Sequence, residues 1–196
     1  MGGHHLILGR LTDYISGDTL DDTLDERHRQ LIARLLVKEK GFSKAQITPR
    51  RQVEARAAGK FARLAISYTL EVDGRTAMIV QYGPGSLVTR HRPALAMGRL
   101  VADYQVPVVV VTNGEQADIL NGETGGLLAS GLKKIPHIDQ LRELMRQHTW
   151  PSITAQRVEM ESRVLIAYEL DGRCPCDDTA ASTQTTSKDD CRQRAD

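Results

Sequence analysis

The stretch from Phe61 to Gly85, FARLAISYTLEVDGRTAMIVQYGPG, restricts the possible folds of this chain more than any other. Leu64, Ile66, Tyr68, Leu70 and Val72 alternate with Ala65, Ser67, Thr69 and Glu71, the period-two pattern of a strand with one apolar face. Asp73-Gly74 satisfies a tight type I′ turn, in which both central residues take positive φ. A second strand then runs from Thr76 to Tyr82 with Met78, Val80 and Tyr82 on one face. Gly83-Pro84-Gly85 stops it, because that tripeptide continues neither strand nor helix. The segment is expected to be a hairpin at the centre of a larger sheet.

Before it, Leu6 to Ser16 reads as an apolar lead-in and Gly17 to Asp22 as loop. Thr23 and Glu26 form a T-x-x-E capping box. Leu24, His28, Leu31, Ile32, Leu35, Leu36 and Glu39 follow at helical spacing, and Gly41 stands where a helix ends. Ile47 to Arg56 is a first strand, joined to the hairpin through Ala57-Ala58-Gly59-Lys60. After the hairpin, Ser86 to Thr89 offers capping hydroxyls and Pro93 suits a first helical turn, with Leu95, Met97, Val101 and Tyr104 on the apolar side.

Val106 to Thr112 is a continuous β-branched run, the signature of a strand covered on both faces. A helix directly before it implies a parallel, right-handed crossover from the Met78 strand. Ala117 to Leu120 is a further short strand, and Pro136 to His148 an amphipathic helix carrying Leu141, Leu144 and Met145. Thr154 to Leu170 is open between strand and helix; the Arg157/Glu161 and Glu159/Arg163 pairs, four residues apart, favour helix. From Cys174 onward the residues are too polar to bury, which predicts a disordered tail.

At 196 residues the chain has room for a full core in one domain, and its net charge of +1 excludes a bulk polyelectrolyte binder, so any nucleic-acid affinity needs a local patch. No apolar run approaches the roughly 20 residues of a membrane span. Met1 to Gly17 lacks the apolar core and cleavage site of a signal peptide, so the expectation is a cytoplasmic protein with no membrane partner. Cys174, Cys176 and Cys191 are odd in number with no paired CxxC, as expected for reduced thiols rather than a zinc site.

The order helix, three antiparallel strands, helix, buried strand, strand resembles the N-terminal domain of type I restriction enzyme R subunits, a branch of the PD-(D/E)XK nuclease superfamily. The similarity covers roughly Asp18 to Leu132. It is carried by DERHRQLIARLLVKEKGF at Asp25 to Phe42, GPGSL at Gly83 to Leu87 and VPVVVVTNGEQADIL at Val106 to Leu120. The resemblance implies an α/β, restriction-endonuclease-like mixed sheet, an antiparallel hairpin plus a parallel crossover strand, flanked by helices. It divides the chain into a lead-in (1–22), the core domain (23–132), C-terminal helices (133–173) and the polar tail (174–196).

Cleavage in that family uses an aspartate on the first hairpin strand and a glutamate and lysine two residues apart on the second. The carboxylates hold a divalent metal and the lysine helps activate water. The resemblance places Ala65, Val80 and Tyr82 at those positions, and Ala96 and Leu100 at a QxxxY pair often found on the next helix. No catalytic residue, metal ligand or cofactor is therefore expected; Mg²⁺ enters only if a surviving nuclease recruits other carboxylates. Of these, Glu71 and Asp73 lie too far along the strand, whereas Glu54 and Glu26 approach the rim.

The basic residues carry the remaining functional signal. Arg50, Arg51, Arg56, Lys60 and Arg63 cluster with Glu54 alone opposing them, and Arg90, His91, Arg92 and Arg99 flank the next helix start. In the parent architecture these elements border the DNA cleft, where they would contact phosphates without reading sequence. The competing reading of the same residues is a solvated face. Three functions follow: a non-catalytic DNA-binding domain, a Mg²⁺-dependent endonuclease, or a module that binds an unidentified protein partner.

Overall fold

The computed structural model describes residues 6–172, apart from the side chains of 170–172. His4, His5, the three cysteines and the expected polar tail lie outside the described residues. A small antiparallel pair, β1 (Arg10–Thr12) and β2 (Thr19–Asp21), precedes α1 (Leu24–Lys38). The main sheet takes β3 (Ile47–Ala57), β4 (Lys60–Val72) and β5 (Arg75–Tyr82) before α2 (Val88–Leu100). It then adds β6 (Val108–Thr112), β7 (Ala117–Asn121) and β8 (Leu127–Ser130), and the chain continues into α3 (Ile138–Gln147) and α4 (Ala155–Gly172). The strands lie in the order β3-β4-β5-β6-β7-β8; β5 and β6 pair in parallel and each other neighbouring pair is antiparallel.

This is the α/β mixed sheet expected, with its hairpin in the interior and its crossover through α2. The valines of β6 show why such a run must sit inside. Val108 and Val110 pack with Ile32 and Leu36 of α1 and Leu141 of α3, while Val109 and Val111 pack with Leu95 of α2 and Leu165 of α4. One strand thus joins both layers of the core. Gly98 lets α2 approach closely, since a Cβ there would stand 2.8 Å from a methyl of Val109. The two-residue turns Ala58-Gly59 and Asp73-Gly74 have positive φ at both positions, the I′ geometry their sequences allow.

Several expectations need correction. The lead-in is not simply an apolar strap, because β1 and β2 form a hairpin with Asp13 buried at its turn. Thr23 caps the Glu26 N–H, but the Glu26 carboxylate turns to Gln30, Arg29 and Arg50 rather than back to the cap, so only half of the capping box exists. Leu24 and Leu31 are exposed, and the buried stripe of α1 runs through Ile32, Ala33 and Leu36. Pro93 lies within α2 rather than in its first turn, and Leu144 of α3 is exposed. β8 follows the Gly125-Gly126 turn unannounced. Arg157/Glu161 and Glu159/Arg163 do form, on helix α4.

The largest departure concerns the apolar face of β4. Tyr68, Leu70 and Val72 face α1, but Leu64 and Ile66 face α2 and α4, so the alternation changes sides at Ser67. Its partner strand changes at the facing position: Ile47 lies on the α1 side, Val53 and Ala55 on the other, and Arg50 between them has φ +53°.

The helix phase can be checked by denaturant unfolding. Leu36→Ala, at a fully buried site, is expected to cost ~2–5 kcal/mol. Leu31→Ala, on the solvent side, should stay within ~0.5 kcal/mol of the parent.

Candidate nucleic-acid interface

The sheet forks at the flip in β4. β4 pairs with β5 from Val72 back to Tyr68, opposite Val80, while Gln81 and Tyr82 continue only beside β6, opposite Val111 and Thr112. Side chains bridge the opening: Ser67 donates its N–H to Gln81 Oε1 at 3.0 Å, and Tyr82 donates its N–H to Ser67 Oγ at 3.1 Å. Beyond this point β3 and β4 leave the sheet as a two-stranded arm. Val53, Ala55, Ala57, Ala62 and Ile66 bury its inner face with α2 and α4.

Among the described residues, nothing covers the outer face. Residues two apart on a strand share a face, so Phe61, Arg63 and Ala65 line it from β4, opposite Arg56, Glu54 and Gln52 of β3. Arg56 and Arg63 are 74% and 58% exposed in their side chains; both pair with Glu54, at 3.3 and 2.6 Å, and both guanidiniums lie over the Phe61 ring. Lys60 is exposed at the arm's turn, and an open depression of about 360 Å³ there is lined by Arg56, Lys60, Phe61 and Glu159. Ala65, at the expected aspartate position, is exposed on this same face, one strand repeat from Arg63.

The other expected basic residues have different surroundings. Arg50 is not opposed by Glu54 but bridges two buried carboxylates, donating to Asp13 Oδ2 and Glu26 Oε1 at 2.7 Å each. Arg51 points to the opposite side, toward Thr76, the Val101 carbonyl and Glu71. Arg90 donates to the Pro84 carbonyl and the Tyr168 hydroxyl. Arg92, Arg99 and Arg157 converge on Glu161. The structure therefore gathers Arg56 and Arg63 on one open face, with Lys60 at the turn beside it, and places Arg50, Arg51, Arg90 and Arg92 elsewhere.

Val80 is fully buried beneath α1, and Ala96 is fully buried on α2. Tyr82 donates its hydroxyl to Asp25 Oδ1 at 3.0 Å, lies under Arg29 at 5.1 Å and stacks on His28 at 5.8 Å. Burial, then the bond to Asp25, pushes its pKa up to about 12, so the phenol stays neutral. His28 is half-buried, as a boundary residue of the stripe, and its Nδ1 lies close to Gly114, where a Cβ would come within 2.5 Å. Among the described residues, no group of three His, Cys, Asp or Glu side chains is arranged to hold a metal ion.

Asp13 was missed from sequence. Its carboxylate accepts the N–H groups of Ile15 and Ser16, a local turn that the TDYIS string encodes, and then Arg50 from far along the chain. Burial works to raise the Asp13 pKa, but the bond from Ser16, Arg50 and the bond from Ile15 outweigh it and hold the value below the ordinary one. This contribution to stability is present above the unfolded carboxylate value and is lost as pH falls through the lowered native value. Asp13→Asn should accordingly flatten the acid limb of a stability-versus-pH curve. Arg50→Met, which strands two carboxylates, should cost about 3 kcal/mol at neutral pH in chemical denaturation, and less in acid.

These elements agree with an independent comparison. Residues 24–136 match the family model described as type I restriction enzyme R protein N terminus, from the start of α1 to the loop before α3. No curated protein and no solved structure matches the chain. No described helix is long and apolar enough to cross a membrane. With the family model spanning more than half of its length, the chain belongs to the type I restriction enzyme R protein N-terminal family.

Proposed function

We propose that this chain is a non-cleaving member of its family that binds DNA through the outer face of the β3–β4 arm. The observation that carries the reading is the composition of that face. Arg56 and Arg63 stand in solvent around Glu54, with Lys60 at the adjoining turn, on the surface where the resemblance to PD-(D/E)XK nucleases would put the cleavage aspartate. A backbone-contacting patch of this kind reads charge rather than sequence.

The donor set supports loss of cleavage. Alanine and valine offer no lone pair at positions 65 and 80, and the neutral phenol of Tyr82 already donates to Asp25. The acidic residues nearest in role, Asp13 and Glu26, share a guanidinium, which supplies the positive charge a cation would otherwise bring. Glu54 is spent on two arginines. These residues do not fit a Mg²⁺ ion.

A gel-shift titration with duplex DNA tests the reading. Binding should fall as salt rises, and Arg56→Glu with Arg63→Glu should weaken it on the order of tenfold or more and lower the salt slope by about 2. Unchanged affinity in the double variant, or capture of a protein partner with no DNA binding at all, would remove the proposal. Supercoiled plasmid incubated with Mg²⁺ should stay intact; nicking that EDTA abolishes would restore the endonuclease reading.

A further inference from the structure

The seam between α2 and α4, on the side of the sheet away from the arm's outer face, holds more arginine than carboxylate. Glu161 is fully buried and accepts from three guanidiniums: Arg92 at Oε2, and Arg99 and Arg157 at Oε1, the last two at 2.9 and 2.6 Å. Arg99 is itself buried and spends its other nitrogens on the Gly122 and Glu123 carbonyls. Arg92 and Arg157 differ. Their side chains are 45% and 41% exposed, and each meets Glu161 through one nitrogen, with no further acceptor among the described residues.

Three positive charges against one negative leave a local excess. Burial first, then the charges of Arg157 and Arg92, act to lower the Arg99 pKa, the electrostatic sign of crowding. The nearest acid on α4, Glu159, is paired with Arg163 at 3.0 Å. Glu161 therefore does two things: it anchors Arg92 and Arg157, and it leaves their remaining N–H groups, on partly exposed side chains, without an acceptor among the described residues. A guanidinium presents its donors in a planar fork suited to phosphate, and two forks tethered to one buried carboxylate lose little rotamer freedom when an anion arrives.

We propose that Arg92 and Arg157 form a binding site for a phosphate group, preorganised by Glu161. The reading is independent of the arm, because it uses other residues on other elements. The phosphate has two possible sources, a free phosphate or phosphomonoester and the backbone of a nucleic acid, and both present the same oxygens.

Titration calorimetry of the full chain with inorganic phosphate at low ionic strength tests the site. The parent should show saturable binding, and Arg157→Gln, which keeps the Arg92–Glu161–Arg99 contacts, should weaken it on the order of tenfold. Arg142→Gln, on the exposed face of α3, should leave it unchanged. A thermal melt of each variant with and without phosphate separates lost binding from lost folding, since only a folded site gains stability from ligand. If phosphate competes with duplex DNA, the source is the nucleic-acid backbone; if both bind together, it is a free phosphate. Absence of saturable binding in the parent, or equal binding in the parent, Arg157→Gln and Arg92→Gln, would overturn the proposal.

Discussion

The bridge from Arg50 to Asp13 and Glu26 joins three parts of the chain that are distant in sequence. Asp13 belongs to the turn of the β1–β2 hairpin, Glu26 to the first turn of α1 and Arg50 to the middle of β3. Gln30 completes the contact, donating to Asp13 and Glu26 and accepting the Tyr14 N–H. Pairs so well buried return little net stability, because desolvation offsets most of their attraction. What they specify is conformation. A non-glycine residue at φ +53° inside a strand is uncommon, and here the side chain it aims has two buried carboxylates to satisfy.

The consequence reaches the surface. Because β3 and β4 change sides together at Arg50 and Ser67, the far half of the ribbon buries alanines and valine against α2 and α4, turning its charged face outward. Without the flip, unbroken alternation would point Arg56 and Arg63 toward α2 and α4. The half-buried Arg50 thus sits at the point where the ribbon turns its exterior arginines to solvent.

Much of the fold was legible because its signals are local. The I′ turn at Asp73-Gly74, the valine run of β6, the Thr23 cap and the charge pairs of α4 each need only neighbouring residues. The alternation of β4 was legible too, yet misleading: Leu64 to Val72 reads as one apolar face, and nothing within the strand reports a flip whose cause is a residue on β3. The three-residue strands β1 and β2 and the four-residue β8 are too short for periodicity to detect. The basic residues from Arg50 to Arg63 are contiguous in sequence but not in space: Arg56 and Arg63 share a face, whereas Arg50 and Arg51 adjoin them in sequence alone, since their partners Asp13, Glu26 and Glu71 come from elsewhere.

The same distinction governs charge. A formal total of +1 counts every carboxylate as a neutraliser of the surface, but Asp13, Glu26 and Glu161 are buried and held by arginines. Asp13 and Glu26 are met by Arg50, and Glu161 by Arg92, Arg99 and Arg157, so none of the three carboxylates screens the exposed guanidiniums of the arm, and the α2–α4 seam carries more arginine than acid. Tyr82 completes the contrast. Where the resemblance would place an ionised lysine, a neutral ring at the end of β5 packs against α1 and receives Arg29 on its face. A tyrosine there leaves the strand, its helix and the open arm beside it in place, so on the proposed reading the groups that would cleave a phosphodiester and those that would hold one lie on separable parts of the fold.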